Sequence, residues 1–341
     1  MILRMPEYYK SFRCIADKCR DNCCIGWEID IDEKTACDYE SAGGEFGERL
    51  RNNISAGEGA SFILGENERC PFLNSRNLCD IILNMGEESL CYICREHPRY
   101  YEWYGDIKEG GIGLACEEAA RLILGSKSPF SYYETEIDEE SDCCPEKQLF
   151  GLLERAREFI ISHLSDEKIG IKQRLRDIVL YGKRLQDNLD NDECSLPVME
   201  RARPFGYEGT ARIFGFIETL EPINEEWKSY FEKKKALSDE MPEEYEYDGE
   251  VSHYLANIAV YFVWRYFMKG VFEGEILSSV VLSAVSTAFV GRLIECEIYE
   301  GKEPTLELCA ETARLFSKEL EYSEENVNML LDSAYNEFYP E

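Results

Sequence analysis

The sequence predicts a mainly α protein in two parts. A loop-rich, cysteine-dense N-terminal domain covers residues 1–125, and an all-α helical bundle covers residues 149–341, with an acidic linker at 126–148 between them. Three observations predict this. Ten of the 15 cysteines lie between Cys14 and Cys116. Beyond residue 148 apolar residues recur at helical spacing. Between Glu134 and Glu146 seven of thirteen residues are acidic, with Pro129 and Pro145 punctuating the stretch.

The N-terminal part has poor periodicity and many Gly and Asn residues. Trp27-Glu-Ile-Asp-Ile-Asp alternates and reads as a short strand. Residues 34–50 read as a helix capped by Asp32, and Ala115-Cys116-Glu-Glu-Ala-Ala-Arg-Leu-Ile-Leu124 reads as one ending at Gly125. In the second part Leu149, Leu152, Leu153, Ala156, Ile160 and Leu164 share a face, as do Ile171, Leu175, Ile178, Leu185 and Leu189. Ile213, Phe214, Phe216 and Ile217 suggest a third helix. A second acidic break at 238–250 precedes two strongly apolar helices near 252–270 and 274–296, expected at the bundle centre. Leu306, Ala310, Ala313, Phe316 and Leu320 mark another helix. Ser323 then caps a last one carrying Val327, Leu330, Leu331, Ala334 and Phe338.

Composition narrows the function classes. A formal charge of −31 disfavours nucleic acid and an anionic membrane surface, and permits a basic, lysine-bearing partner. The apolar runs at 254–268 and 276–290 are shorter than the roughly 20 residues a membrane span needs. The first eight residues lack the apolar core of a signal peptide. The expectation is a cytoplasmic protein, in which clustered cysteines serve metal or redox chemistry rather than structural disulfides.

The candidate metal ligands are Cys14, Cys19, Cys23, Cys24, Cys70, Cys79, Cys91, Cys94 and Cys116. Cys91-x2-Cys94 lets two thiolates on one turn reach one ion. Adjacent Cys23 and Cys24 cannot easily chelate one ion side by side, because their side chains diverge, so either one is a ligand and the other faces elsewhere, or two centres are served. An all-thiolate set suits Zn²⁺ or an iron–sulfur cluster, and spacing leaves both open. The ferredoxin pattern is absent, and a second zinc knuckle is not evident. Isolated Cys296 and Cys309 read as small core hydrophobes.

These residues resemble the flagellin lysine N-methylases, which share their cysteine pattern with the YkgJ-like zinc- or iron-chelating domain. The resemblance is carried by Tyr8-Tyr9-x2-Phe12-x-Cys14, Cys19-x3-Cys23-Cys24-x-Gly26-Trp27, Cys70-Pro71-Phe72-Leu73 and Leu78-Cys79-Asp80-Ile81. It continues through Gly86-Glu87-Glu88-x-Leu90-Cys91, Cys94-Arg95-x2-Pro98-Arg99 and Cys116-Glu-x-Ala119-Ala-Arg121-Leu-Ile-Leu124. In the helical part Asn257-x3-Tyr261-Phe262-x2-Arg265-Tyr266-Phe267 is the best echo. His97 stands where an aromatic is expected, and Glu117 where a proline is.

The resemblance implies a [4Fe–4S] cluster on the cysteine domain, S-adenosylmethionine as methyl donor, and lysines of flagellin or another lysine-bearing protein as acceptors. Four ligands are then expected among Cys19, Cys23, Cys70, Cys79, Cys91 and Cys94, with Cys14, Cys24 and Cys116 as second-site or supporting thiols. Arg95 and Arg99 are candidates for contacting the donor's carboxylate or, equally, for structural ion pairs. Tyr92, Tyr100, Tyr101, Trp103 and Tyr104 read either as a wall for the donor's sulfonium or as local packing. His97 reads as a hydrogen-bonded turn residue, or else as a ligand or base. No Gly-x-Gly-x-x-Gly follows a strand, so a Rossmann donor pocket has no support. The alternative class is a non-enzymatic zinc- or iron-binding module whose helices dock a partner, and a third is an electron carrier.

Overall fold

The computed structural model describes residues 1–56, 59–127, 129–203, 210–242 and 247–337. The chain is mainly α, as the sequence predicts, and it forms two compact units that interleave along the sequence. One contains residues 1–12, 101–115 and 119–341, and the other contains residues 13–100 and 116–118.

The first unit starts with a four-stranded sheet. Strand β1 (Ile2–Pro6) runs parallel to β6 (Ile107–Ile112) and antiparallel to β7 (Tyr132–Glu136), and β5 (Arg99–Tyr104) completes the order β5-β6-β1-β7. Gly105, at φ +66°, makes the tight turn from β5 to β6. Strand β7 lies inside the stretch expected as linker. Its alternating Tyr-Tyr-Glu-Thr-Glu pairs residue for residue with β1, a partner 130 positions away that local composition does not reveal.

The helices follow as α6 (Lys147–Leu164), α7 (Ile171–Asp190), α8 (Thr210–Ile217), α9 (Glu225–Glu240), α10 (Gly249–Tyr266), α11 (Gly270–Glu273), α12 (Ile276–Tyr299), α13 (Leu306–Glu321) and α14 (Glu324–Glu337). Helix α12 is apolar on all sides, and α7, α8, α9, α10, α13 and α14 pack around it. The apolar run at 276–290, read as too short for a span, lies in a helix whose 24 residues are long and apolar enough to cross a membrane, but 94% of its apolar window is buried inside the protein. Phe289 anchors the centre, its ring 5.1 Å from Phe214, 6.3 Å from Phe231 and 5.2 Å from Phe316. Cys296 and Cys309 are fully buried, as expected. Ser323 caps α14 by accepting from Asn326 N–H at 3.1 Å. The expected contributions of Ala334 and Phe338 fall outside the side chains described.

Helix α9 is the element the periodicity fails to signal. Its inward face is Trp227, Phe231, Lys234 and Ser238, so half of it is polar. Lys234 is fully buried because Glu297 at 2.7 Å and Glu300 at 2.6 Å neutralise its ammonium.

The second unit is built of short pieces. Strands β2 (Asp30–Ile31), β4 (Ala60–Phe62) and β3 (Ile54–Ala56) form a small antiparallel sheet. Asp32 caps α1 (Glu33–Ser41) through Thr35 N–H at 3.0 Å, as expected. The single helix expected at 34–50 is broken at Ala42–Gly43, and α2 (Gly44–Asn52) begins with Gly44 at φ +72°. Helices α3 (Asp80–Met85) and α4 (Tyr92–Glu96) are each little more than a turn. Helix α5 (Glu117–Leu124) has only its first two residues in this unit, the rest belonging to the first, and it ends at Gly125, whose N–H reaches Arg121 O at 3.0 Å.

Candidate metal centre

All fifteen cysteines are described and none is in a disulfide. Five of the nine candidate thiols share one small interior. Cys70 and Cys91 are buried in the core built on Phe62, Phe72, Leu73, Ile81 and Leu90, and Cys24, Cys79 and Cys94 pack against it.

Local backbone geometry aims donors at these sulfurs. The Cys70-Pro71-Phe72-Leu73 turn directs the Phe72 and Leu73 N–H groups at Cys70. Cys79 precedes α3 and receives the Ile81 and Ile82 N–H groups. Cys91 precedes α4 and receives the Cys94 N–H. Such N–H···S bonds stabilise thiolates and are how thiolate metal sites are commonly set up. The turns are braced from behind: Arg49 donates to Pro71 O at 2.6 Å and to Asp80 Oδ2 at 2.8 Å, while Asn74 donates to Asp80 Oδ1 at 2.9 Å. Cys70 N–H bonds Cys24 O at 2.9 Å, which ties the opening motif to the Cys70 turn.

Two thiol–thiol hydrogen bonds join Cys91 with Cys94 and Cys23 with Cys24. The hydrogen bond from Cys94 pulls Cys91 below the ordinary thiol range and pushes Cys94 well above it, with burial adding to the rise at Cys94. Cys24 is likewise raised, first by its hydrogen bond with Cys23 and then by burial. Burial pushes Cys70 up to about 11 and raises Cys79. Cys19 is pushed up to about 12 by burial and then by the Glu117 charge. Raised thiols in an apolar interior keep their protons until a cation replaces them.

The donor set fits a thiolate-bound metal in chemistry and N–H support. The side chains stand as hydrogen-bonded thiols: among the described residues no group of three or more Cys, His, Asp or Glu is placed to hold one ion. Cys24, expected as a supporting thiol, lies within the core set. Cys19 and Cys116 lie outside it, as do Cys14 and Cys23, which are exposed.

The other candidates are placed as follows. Arg95 pairs with the adjacent Glu96 at 3.2 Å and lies over the Tyr92 ring. Arg99 donates to Arg95 O at 3.1 Å, closing the end of α4. His97 packs edge-on to Trp27, with ring centroids 5.2 Å apart. Burial, then Arg99, depresses it to about 4, which leaves the imidazole neutral. The five aromatics divide between the two units, Tyr92 and Tyr100 in one and Tyr101, Trp103 and Tyr104 in the other. Tyr92 is exposed, Tyr101 and Trp103 receive the Lys108 ammonium on their faces, and Tyr104 stacks on Phe272 and meets Phe150 at a tilt in the helical unit.

Two supporting residues escape sequence reasoning. Asp32, beyond capping α1, accepts from Tyr92 N–H at 2.8 Å beside Cys91. Tyr39 donates to Ser89 O at 2.6 Å under the same thiols. Asp32 was visible only as a cap, and nothing in the sequence marks Tyr39.

A profile of the FliB lysine N-methylase C-terminal domain matches residues 157–339. A lysine-N-methylase of Salmonella typhimurium is 27% identical over 146 residues, covering 40% of this chain and 36% of that protein. The flagellar biosynthetic protein FliU of Salmonella muenchen is 28% identical over 141 residues, covering 37% of this chain and 83% of that protein. The match thus spans little more than a third of the length of the Salmonella typhimurium enzyme. No solved structure matches. With the profile covering more than half of its length, this chain belongs to the FliB lysine N-methylase family.

Proposed function

We propose that the chain is a cytoplasmic protein-lysine N-methyltransferase. It takes its methyl group from S-adenosylmethionine, carries a [4Fe–4S] cluster on its cysteine unit, and acts on lysines of flagellin or a similar protein. The observation that carries the reading is family membership, together with relatives named lysine-N-methylase and FliU. The all-thiolate set with N–H donors aimed at Cys70, Cys79 and Cys91 supports the cluster.

The cluster, held by thiolates from the Cys24, Cys70, Cys79, Cys91 and Cys94 set, supplies a redox-capable iron centre and organises the short elements around it. The remaining requirements fall on the protein. A lysine ammonium near its ordinary pKa of about 10.4 has no lone pair, so the site must remove its proton by desolvation or a base. His97 is held neutral by burial and by Arg99, both of which disfavour its protonated ring. Arg95, at the surface in an exchangeable pair with Glu96, is suited to a carboxylate such as the donor's. The charge of −31 favours encounter with a lysine-bearing surface.

The test is anaerobic purification with iron and sulfide analysis, followed by transfer of labelled methyl from S-adenosylmethionine to flagellin. Incorporation into lysine by a chain holding four iron and four sulfide is expected. Zinc without labile sulfide would sink the cluster, and an intact cluster without incorporation would favour a metal-binding, partner-docking module.

A further inference from the structure

We propose that Tyr101, Trp103 and Glu139 form a binding site for a methylated lysine of the partner protein, which the chain's own Lys108 fills until such a lysine displaces it. The site holds the product of methyl transfer, and it rests on the methylase reading only for the source of that product.

Strands β5 and β6 put the parts together. Residues two apart on a strand point the same way, which pairs Tyr101 with Trp103 on β5 and Lys108 with Gly110 on β6. The Lys108 ammonium lies 4.5 Å from the centre of the Tyr101 ring and 4.9 Å from that of Trp103. It donates to Glu139 Oε1 at 3.0 Å and to Oε2 at 2.7 Å. Gly110 makes room for the wall, because a Cβ there would stand 2.7 Å from Tyr101 Cδ1. Two aromatic faces and a carboxylate stabilise an ammonium cation, the reverse of what a methyl-transferring site needs. These groups therefore hold a lysine and do not activate it.

Lys108 is not there for stability alone. It is 8% exposed, and an apolar side chain would fill the same space without desolvating a charge. Its carboxylate partner is exposed, on a stretch at 137–146 that forms neither helix nor strand. Asp138, Glu140 and Asp142 beside it are exposed as well, and they favour approach of a basic segment. Methylation keeps the charge of a lysine and removes N–H groups that water solvates, so it lowers the cost of entering an aromatic-walled site. A dimethyl-lysine retains one N–H for Glu139.

The test titrates N-acetyl-dimethyl-lysine amide, its unmethylated form and S-adenosylmethionine into the anaerobically purified full chain by calorimetry. Lys108→Ala should bind the dimethyl probe about tenfold tighter than wild type, because the competing side chain is gone, and Trp103→Ala in that background should lose the gain. In Lys108→Ala the dimethyl probe should bind about fivefold or more tighter than the unmethylated one. Displacement is read without any variant: saturating dimethyl probe should raise acetylation of wild-type Lys108 by acetic anhydride several-fold, measured by mass spectrometry. No rise in that labelling, unchanged affinity in Lys108→Ala, or equal affinity for the two lysine probes there would each overturn the proposal. An equal gain for S-adenosylmethionine in Lys108→Ala would also overturn it, because the groups would then serve the donor's sulfonium. Displacement of Lys108 without methyl transfer to flagellin would sink the methylase reading and leave this site standing, whereas methyl transfer without displacement would sink the site alone.

Discussion

The helical unit and the cysteine unit solve the problem of order differently. Around α12 the interior is a continuous apolar mass of long helices, with Phe289 meeting rings from three neighbours. Around Phe72 the interior is small. It is interleaved with five thiols and bounded by helices of five to nine residues that are marginal by themselves. What fixes that unit is bonding from side chain to backbone: Arg49 to Pro71, Asp32 to Tyr92, Tyr39 to Ser89. The lesson is that one half of this molecule is held chiefly by burial, whereas the other leans on bonds from side chain to backbone, which the proposed metal would complete.

Three substitutions sharpen the contrast, all within the helical unit. Phe289→Ala removes a fully buried ring and should cost about 4 kcal/mol. Chemical denaturation with the spectrum of the bound metal recorded in parallel would show the helical transition moving while the metal signal at low denaturant stays put. Arg157→Met strands the buried Glu109 carboxylate, to which Arg157 donates two hydrogen bonds at 2.5 and 2.7 Å. About 3 kcal/mol is expected, at the low end for a broken buried pair because Arg4 still reaches Glu109 at 3.4 Å. Glu109→Gln in that background should recover part of the loss.

The third is a pH effect. Burial raises the Glu319 carboxyl to about 7, only partly offset by the Ile223 N–H it accepts. Between the unfolded value near 4.5 and about 7 the folded state holds the extra proton. Stability from this group is thus full below about 4.5 and declines as pH rises to about 7. Glu319→Gln should flatten that decline and raise stability at pH 8 by at most about 3 kcal/mol, read as the difference between melting curves at pH 5 and pH 8.

Much of this was legible in the sequence, for reasons that differ by region. Helices α6, α7, α10, α12 and α13 announce themselves because burial of one face, or of all faces for α12, is written directly as apolar spacing. Helix α9 does not, because its inward Lys234 is balanced by Glu297 and Glu300 far along the chain. Strand β7 is hidden for a similar reason: its partner is the first strand. In the cysteine unit the thiols were evident as a set. Their grouping was not, because it depends on contacts such as Arg20 with Glu117 and Cys24 with Cys70 that no local pattern encodes.

The central claim, that metal ligation completes the cysteine unit while the helical unit stands on burial, is tested most directly by amide hydrogen exchange. The anaerobic protein would be compared before and after complete metal removal under reducing conditions. Protection across residues 70–96 should collapse on removal, with residues 249–266 and 276–299 unchanged. Unchanged protection across residues 70–96 in metal-free protein, or simultaneous opening of both units, would contradict the account.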